Sequence, residues 1–466
     1  MPKTISGHSL RPAPGGGRCR RQWLRGLPLL AAAAGALLAP AAAHADSSDT
    51  AAAASVPSRL AFTSADITVP ESLQEGGVSA VAVSGSVVLA VKDGNVVKVR
   101  GWGSVDVPQD LQSGGGVTAL ALGGPGLAVK DGNVRQFGPA PEDWCPKEYR
   151  ADMPAVLASG GGTTAVESNS SLQAAFAVKD GRLYQWGCSI DLMAVPAELS
   201  TGGVTEVKTM GASALAVKDG NVHAWGHAPR VPAELSQGGG VTSIALSNNG
   251  RTGLAVKDGS VHSWGEYIGL PPGLRDDGHV TSVSADSNGL TVAAVKDDGT
   301  LISSQDPGAE FHNRGITSAT AVTGGAFVIQ KTQTDMTLKS KDGYLITRPA
   351  TERDYLGFGQ SDAPQDAKTF SVVLLKNNEV ALKSKLNGKY VMVDQTTNGP
   401  AGPNYHLRAA ADSIGPWEKF TLHKTGGGSV LLKSVSTGRY VQNSSGTLNG
   451  HGTESQAAAF DLAATP

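Results

Sequence analysis

Residues 253–265 read GLAVKDGSVHSWG, and the reading of this stretch decides the fold. An apolar run leads into Asp258-Gly259, and Val261 and Trp264 then stand among polar residues. Asp-Gly tolerates the positive φ that a two-residue type I′ turn requires, so the stretch reads as a β-hairpin. It returns as ALAVKDGNVHAWG at 214–226 and AFAVKDGRLYQWG at 175–187. The lysine before the turn recurs at 92, 130, 179, 218, 257 and 296, with spacings of 38, 49, 39, 39 and 39 residues.

Two further markers share this period. A strand-like start, VTSIAL at 241–246, has counterparts beginning at 78, 117, 163, 204, 280 and 316. An apolar-Pro step recurs at Val69-Pro70, Val107-Pro108, Met153-Pro154, Val195-Pro196, Val231-Pro232 and Leu270-Pro271. Each unit then reads as an inner strand, a strand ending in the lysine, the turn, and a third strand. The run toward the next Val-Pro supplies an outer strand or a loop. About 39 residues carrying three to four strands match one blade of a propeller. There are seven strand-like starts but six turn phrases, so the last unit is incomplete. SRLAFTS (58–64) has the spacing of the missing outer strand. The fold expected is all-β: a seven-bladed β-propeller over 58–330, closed by an N-terminal strand and followed by a β-trefoil. Closing a ring in this way leaves only short edges.

After Lys331 a different phrase repeats: MTLKSKDGYLI (336–346), VALKSKLNGKYVMV (380–393) and VLLKSVSTGRYVQ (430–442). Each precedes a strand pair that carries a phenylalanine, at Phe370, Phe420 and Phe460. Three hairpin units of this kind point to a trefoil over 331–466. Leu338, Tyr344, Leu382, Tyr390, Phe420, Leu432, Tyr440 and Phe460 are its expected core around the pseudo-threefold axis.

Residues 1–45 read as an export signal peptide: a basic head, the apolar GLPLLAAAAGALLAP (26–40), and a small-x-small site ending at Ala45. Arg20 and Arg21 begin RRQWLR, the pattern of a twin-arginine signal, although an ordinary secretory signal fits equally. Residues 46–57 read as a flexible linker, and no second apolar run has membrane length, so no membrane insertion is expected of the mature form. Removing the six signal cations leaves 33 Lys+Arg against 41 Asp+Glu, a net of −8. An acidic propeller argues against nucleic acid as partner, because phosphate binding needs a basic surface. Two cysteines remain, Cys145 and Cys188, a disulfide candidate in an oxidising compartment.

LAVKDGNVHAWG and VPAELSQGGGVTSIAL resemble the repeats of the regulator-of-chromosome-condensation family. They resemble more closely those of the secreted propeller-type β-lactamase inhibitory proteins. VALKSKLNGKYVMV and IGPWEKFTL resemble the fascin-like trefoils. The first resemblance implies a propeller over about 58–330, and the second a trefoil over 336–463.

Strand parity places the loops before each second strand, and those after each third strand, on one face. The turns lie on the other, where the lysines and aspartates of the KDG phrase read as solvated hairpin ends. The repeated Trp186, Trp225 and Trp264 read as packing between blades. Binding is expected on the variable face. There the insertion PAPEDWCPKEYRAD (139–152) brings Trp144 and Tyr149, and His227, Arg230 and Tyr267 follow the third strands. The loops before the second strands hold no aromatic, so no inhibitory residue carries over from the lactamase-inhibitor family.

No HExxH, GxSxG, Walker loop or metal-ligand spacing is present, so no catalytic residue, cofactor or metal is assigned. The function expected is that of a secreted, non-enzymatic binding or adhesion protein, acting as a monomer. Its propeller would meet an unidentified extracellular protein, and its trefoil a glycan. The alternative is an inhibitor of a secreted or cell-wall enzyme; a hydrolase with a loop-built site ranks third.

Overall fold

A computed structural model describes residues 58–64, 67–101, 105–138, 145, 147–188, 194–272, 274–275, 278–305, 315–375, 379–396, 398–399 and 402–465. The export signal with Arg20, Arg21 and Ala45, the linker, Trp144 and half of the 139–152 insertion lie outside these residues.

Up to Lys331 the strands form seven small antiparallel sheets, six of three strands and one of four. The fifth is typical: Val241–Ser247, Thr252–Lys257 and Ser260–Gly265 pair in sequence order. Its turn has Asp258 at φ 49° and Gly259 at φ 78°, as the hairpin reading requires. Inner strands of successive sheets are neighbours all the way round, and the inner strand of the first sheet also touches the seventh. The apolar side chains fall into seven clusters, one at each seam between sheets. Alternation explains this: each middle strand is apolar on both faces, so it feeds two seams. Trp186, Trp225 and Trp264 are buried in these seams.

The N-terminal strand Ser58–Phe62 pairs with Gly325–Lys331 in the register Ser58↔Lys331 to Phe62↔Phe327, completing the seventh sheet. Leu60 is buried in the seam between the seventh and first sheets. Arg59 is buried too; its Nε and Nη2 donate to Gln330 Oε1 (3.1 and 3.0 Å), and its Nη1 donates to the Leu375 carbonyl (3.2 Å).

Two local features fill in the sequence reading. The segment after the apolar-Pro step, to which no element was assigned from sequence, is in five units a single helical turn, as in Glu71–Gln74 and Ala197–Ser200. Proline suits the start of such a turn, and each turn buries one leucine, among them Leu73 and Leu199. A fourth strand, Arg150–Ala151, occurs in the third sheet.

The KDG phrases are not simply solvated. Lys92 and Lys130 donate to the carbonyls of Gly76 and Gly115 (2.7 and 2.6 Å), and Lys218 and Lys257 to those of Gly202 and Gly239. The turn glycine of one sheet accepts from the first inner-strand residue of the next, as in Val241 N–H to Gly220 O (2.9 Å). The turn face is a hydrogen-bonded rim.

From Gln333 onward a 12-stranded sheet surrounds one apolar core. Its last strand returns to its first, with Leu338 opposite Leu462. Leu338, Leu382, Phe420, Leu432 and Phe460 are buried there, together with Phe370. Tyr344, Tyr390 and Tyr440 are not core residues. Each lies half-exposed on the second hairpin strand, and Lys339, Lys383 and Lys433 sit 5.4 Å from the respective ring centres. Register explains this. Each tyrosine is directly opposite its lysine across the hairpin, so the two share the outer face.

Candidate binding surface

The loops of the variable face are held to one another. Asn169 Nδ2 donates to the Gly211 carbonyl (2.8 Å), Asn249 N–H to Ser287 O (2.9 Å), and Asn288 Nδ2 to Thr323 Oγ1 (3.4 Å). Gly211 lies so close to the Asn249 carbonyl that a β-carbon would not fit. Loops from the third to the seventh sheet therefore form one continuous edge.

Cys145 and Cys188 form a disulfide and both are buried. The bond ties the middle of the insertion to the third strand of the third sheet, where Cys188 is also paired with Arg150. Arg150 Nε donates to the Cys145 carbonyl (2.7 Å). Tyr149 stands on this anchored segment and is exposed.

Tyr267 is 89% exposed. Its neighbour Glu266 donates its N–H to the Arg251 carbonyl (3.1 Å) and takes the Arg251 guanidinium at 3.2 Å. His227 and Arg230 are exposed. The segment that carries them touches the fifth sheet, because Trp264 Nε1 donates to the Pro229 carbonyl (3.2 Å). The structure thus brings His227, Arg230 and Tyr267 to adjoining segments; Tyr149 stands apart on the third sheet, and Trp144 is outside the described residues.

Three features were not read from the sequence. Leu290, 63% exposed, tops the loop before the second strand of the sixth sheet, beside the 247–251 loop. Its signal was an apolar residue in an otherwise polar loop, DSNGL. The second lies at the ring's centre, where Lys208 Nζ stands 3.9 Å from Glu167 and 3.8 Å from Glu206. The carboxylates also accept the backbone N–H groups of Thr209 (3.3 Å) and Ile244 (3.0 Å) on the next inner strands. Burial pushes both carboxyls above their ordinary range, against the pull of Lys208. Other units carry alanine, serine or threonine at these positions, so the break in the repeat was the available signal. The third is a polar groove in the C-terminal sheet. It measures 460 Å³ and is lined in part by Lys341, Asp342, Gln442 and Asn443.

Among the described residues, no group of three or more His, Cys, Asp or Glu side chains could hold a metal ion. No described helix is long and apolar enough to cross a membrane.

No family model matches the chain, and no curated protein matches it. Among solved structures, it is similar to the CRINKLY WD40 ectodomain of the Arabidopsis thaliana receptor kinase ACR4, at 16% identity over 53% of this chain and 88% of that one, with a TM-score of 0.35. It is also similar to the designed three-fold symmetric protein ThreeFoil, at 14% identity over 28% of this chain and 97% of that one, TM-score 0.24. A third is SeviL bound to asialo-GM1 saccharide, at 11% identity over 28% of this chain and 95% of that one, TM-score 0.23. The chain's own sheets give its class, an all-β repeat fold of small antiparallel sheets.

Proposed function

We propose that the chain is an exported, non-catalytic binding protein with two surfaces. The loop face of the ring, of the kind found in regulator-of-chromosome-condensation-like propellers, meets a protein partner. The C-terminal half, fascin-like in its repeats, meets a saccharide. The observation that supports this reading best is Tyr267, 89% exposed on an edge whose loops are hydrogen-bonded to one another. A large, rigid, amphipathic side chain on a preorganised rim loses little entropy on binding, which is what an interface anchor needs.

Retention of the full chain on cell-wall, chitin, cellulose and secreted-protein fractions tests the reading. The wild type is expected to be retained on one of them, and Tyr267→Ala to weaken retention on a protein fraction about tenfold or more. Equal retention of the two chains on every fraction would remove the loop face from the reading. An inhibitor would use the same face. Titration into assays of secreted and cell-wall enzymes, a β-lactamase among them, separates that outcome from adhesion.

A further inference from the structure

The three repeats of the C-terminal sheet differ at one place that bears on ligand binding. From the LKS-type serine to the tyrosine, the second and third repeats read SKLNGKY (384–390) and SVSTGRY (434–440), whereas the first reads SKDGY (340–344). The first hairpin turn is thus two residues shorter. Side chains bridge all three repeat contacts: Thr347 Oγ1 donates to Ser384 Oγ (2.8 Å), Gln395 Nε2 to Ser436 Oγ (3.0 Å), and Asn443 Nδ2 to Asp342 Oδ2 (3.1 Å). Leu386 and Val435 stand on the longer turns. Where the short turn meets the third repeat, a groove of 460 Å³ opens.

Its walls are polar. Lys341 and Asp342 come from the short turn, Gln442 and Asn443 from the strand Tyr440–Ser444, and Ser455 and Gln456 from the single turn Glu454–Gln456. Two of the amides are fixed in orientation. Asn443 Oδ1 accepts the Gly446 N–H (2.9 Å), so its Nδ2 faces Asp342 Oδ2 (3.1 Å). Gln456 Oε1 accepts the Thr453 N–H (3.0 Å), which leaves its Nε2 as a donor. Neither that Nε2 nor Lys341 Nζ has a partner among the described residues. Donors therefore stand opposite a carboxylate with open lone pairs, and Ala457 and Ala458 contribute apolar surface between them.

We infer that this groove binds a neutral saccharide unit. Adjacent hydroxyls each donate and accept, and they match a wall where ammonium, amide, hydroxyl and carboxylate groups alternate. One lysine against one aspartate leaves no net charge to select an anion or a cation. The volume lies within the range of small-molecule sites. The inference rests on the saccharide half of the proposed function and assigns it a place and a ligand class.

The test uses the full chain and four probes: the methyl glycosides of β-galactose, β-glucose, α-mannose and N-acetyl-β-glucosamine, each followed by saturation-transfer NMR and titration. At least one is expected to bind. Asp342→Ala and Asn443→Ala should weaken it about tenfold or more, and Ser436→Ala, at a different repeat contact, less than about twofold. Both key residues are exposed, so their loss should leave the thermal transition in place. If a glycoside binds equally well to Asp342→Ala and Asn443→Ala, the groove is the wrong site while the saccharide reading stands. If none of the four binds at about 10 mM, about ten-thousandfold above a micromolar dissociation constant, both fall.

Discussion

Lys218 shows what a residue at the end of a hairpin contributes when its neighbours are also repeats. Its ammonium lies between the Gly202 carbonyl and the Asp219 carboxylate, with only 17% of the side chain exposed. Gly203, the next residue after that carbonyl, has φ +80° and packs against Asp219. A β-carbon there would meet the carboxylate and would strain the backbone as well. Gly203→Ala is therefore expected to destabilise the chain by about 1–3 kcal/mol, read as a shifted denaturant midpoint at unchanged slope. A midpoint equal to wild type would show that the rim yields at no cost. The Asp-Gly turn was legible because it is local chemistry. The destination of the lysine was not, because its acceptor lies 16 residues away on a loop that only the folded sheet brings near.

At the level of the element, the N-terminal strand carries the closure of the ring. Without Ser58–Phe62, the strand Gly325–Lys331 would have a free edge, and the seventh-to-first seam would lose Leu60. Leu60 is fully buried, so Leu60→Ala should cost about 2–5 kcal/mol, measured by equilibrium denaturation of the full chain. A loss below about 1 kcal/mol would mean that the seam collapses around the gap and that closure does not depend on this contact. That strand was readable from the sequence because its spacing to the first Val-Pro matches the third strands elsewhere. The helical turns after Val-Pro were less readable. Four residues carry too little periodicity to separate a helical turn from an irregular outer strand.

Within the whole molecule, two groups of the C-terminal half lose stabilisation on the acid side, in two stages, while the raised Glu167 and Glu206 of the ring act in the opposite sense. Burial holds the His406 imidazole below its ordinary value, although Asp394 pulls the other way. A histidine depressed in the fold keeps its full contribution above the unfolded value of about 6.5 and loses it as the pH falls toward the folded one. Burial works to raise the Asp394 carboxyl, but hydrogen bonds from Thr396 and Arg408 more than offset this and hold it below the ordinary range. Its contribution is present above about pH 4 and is lost as the pH falls through the folded value. Thermal unfolding followed from about pH 7 to 5 should lose more stability in the wild type than in His406→Gln. Parallel profiles for the two chains would exclude this histidine as the source of the upper stage.

Fold class, the seven strand-like starts, the closing strand and the three C-terminal units were written in the sequence, because period, alternation and turn chemistry act over a few residues. Only the tertiary structure decided which side chains those elements bring together. It put Tyr344, Tyr390 and Tyr440 beneath lysines on the outer face rather than in the core. It seated the KDG lysines against glycine carbonyls, and it placed the short first turn in the wall of a groove at a contact between repeats. Those outcomes depend on register and on contacts between distant units, and a repeat pattern carries no information about what lies across the gap between two of its copies.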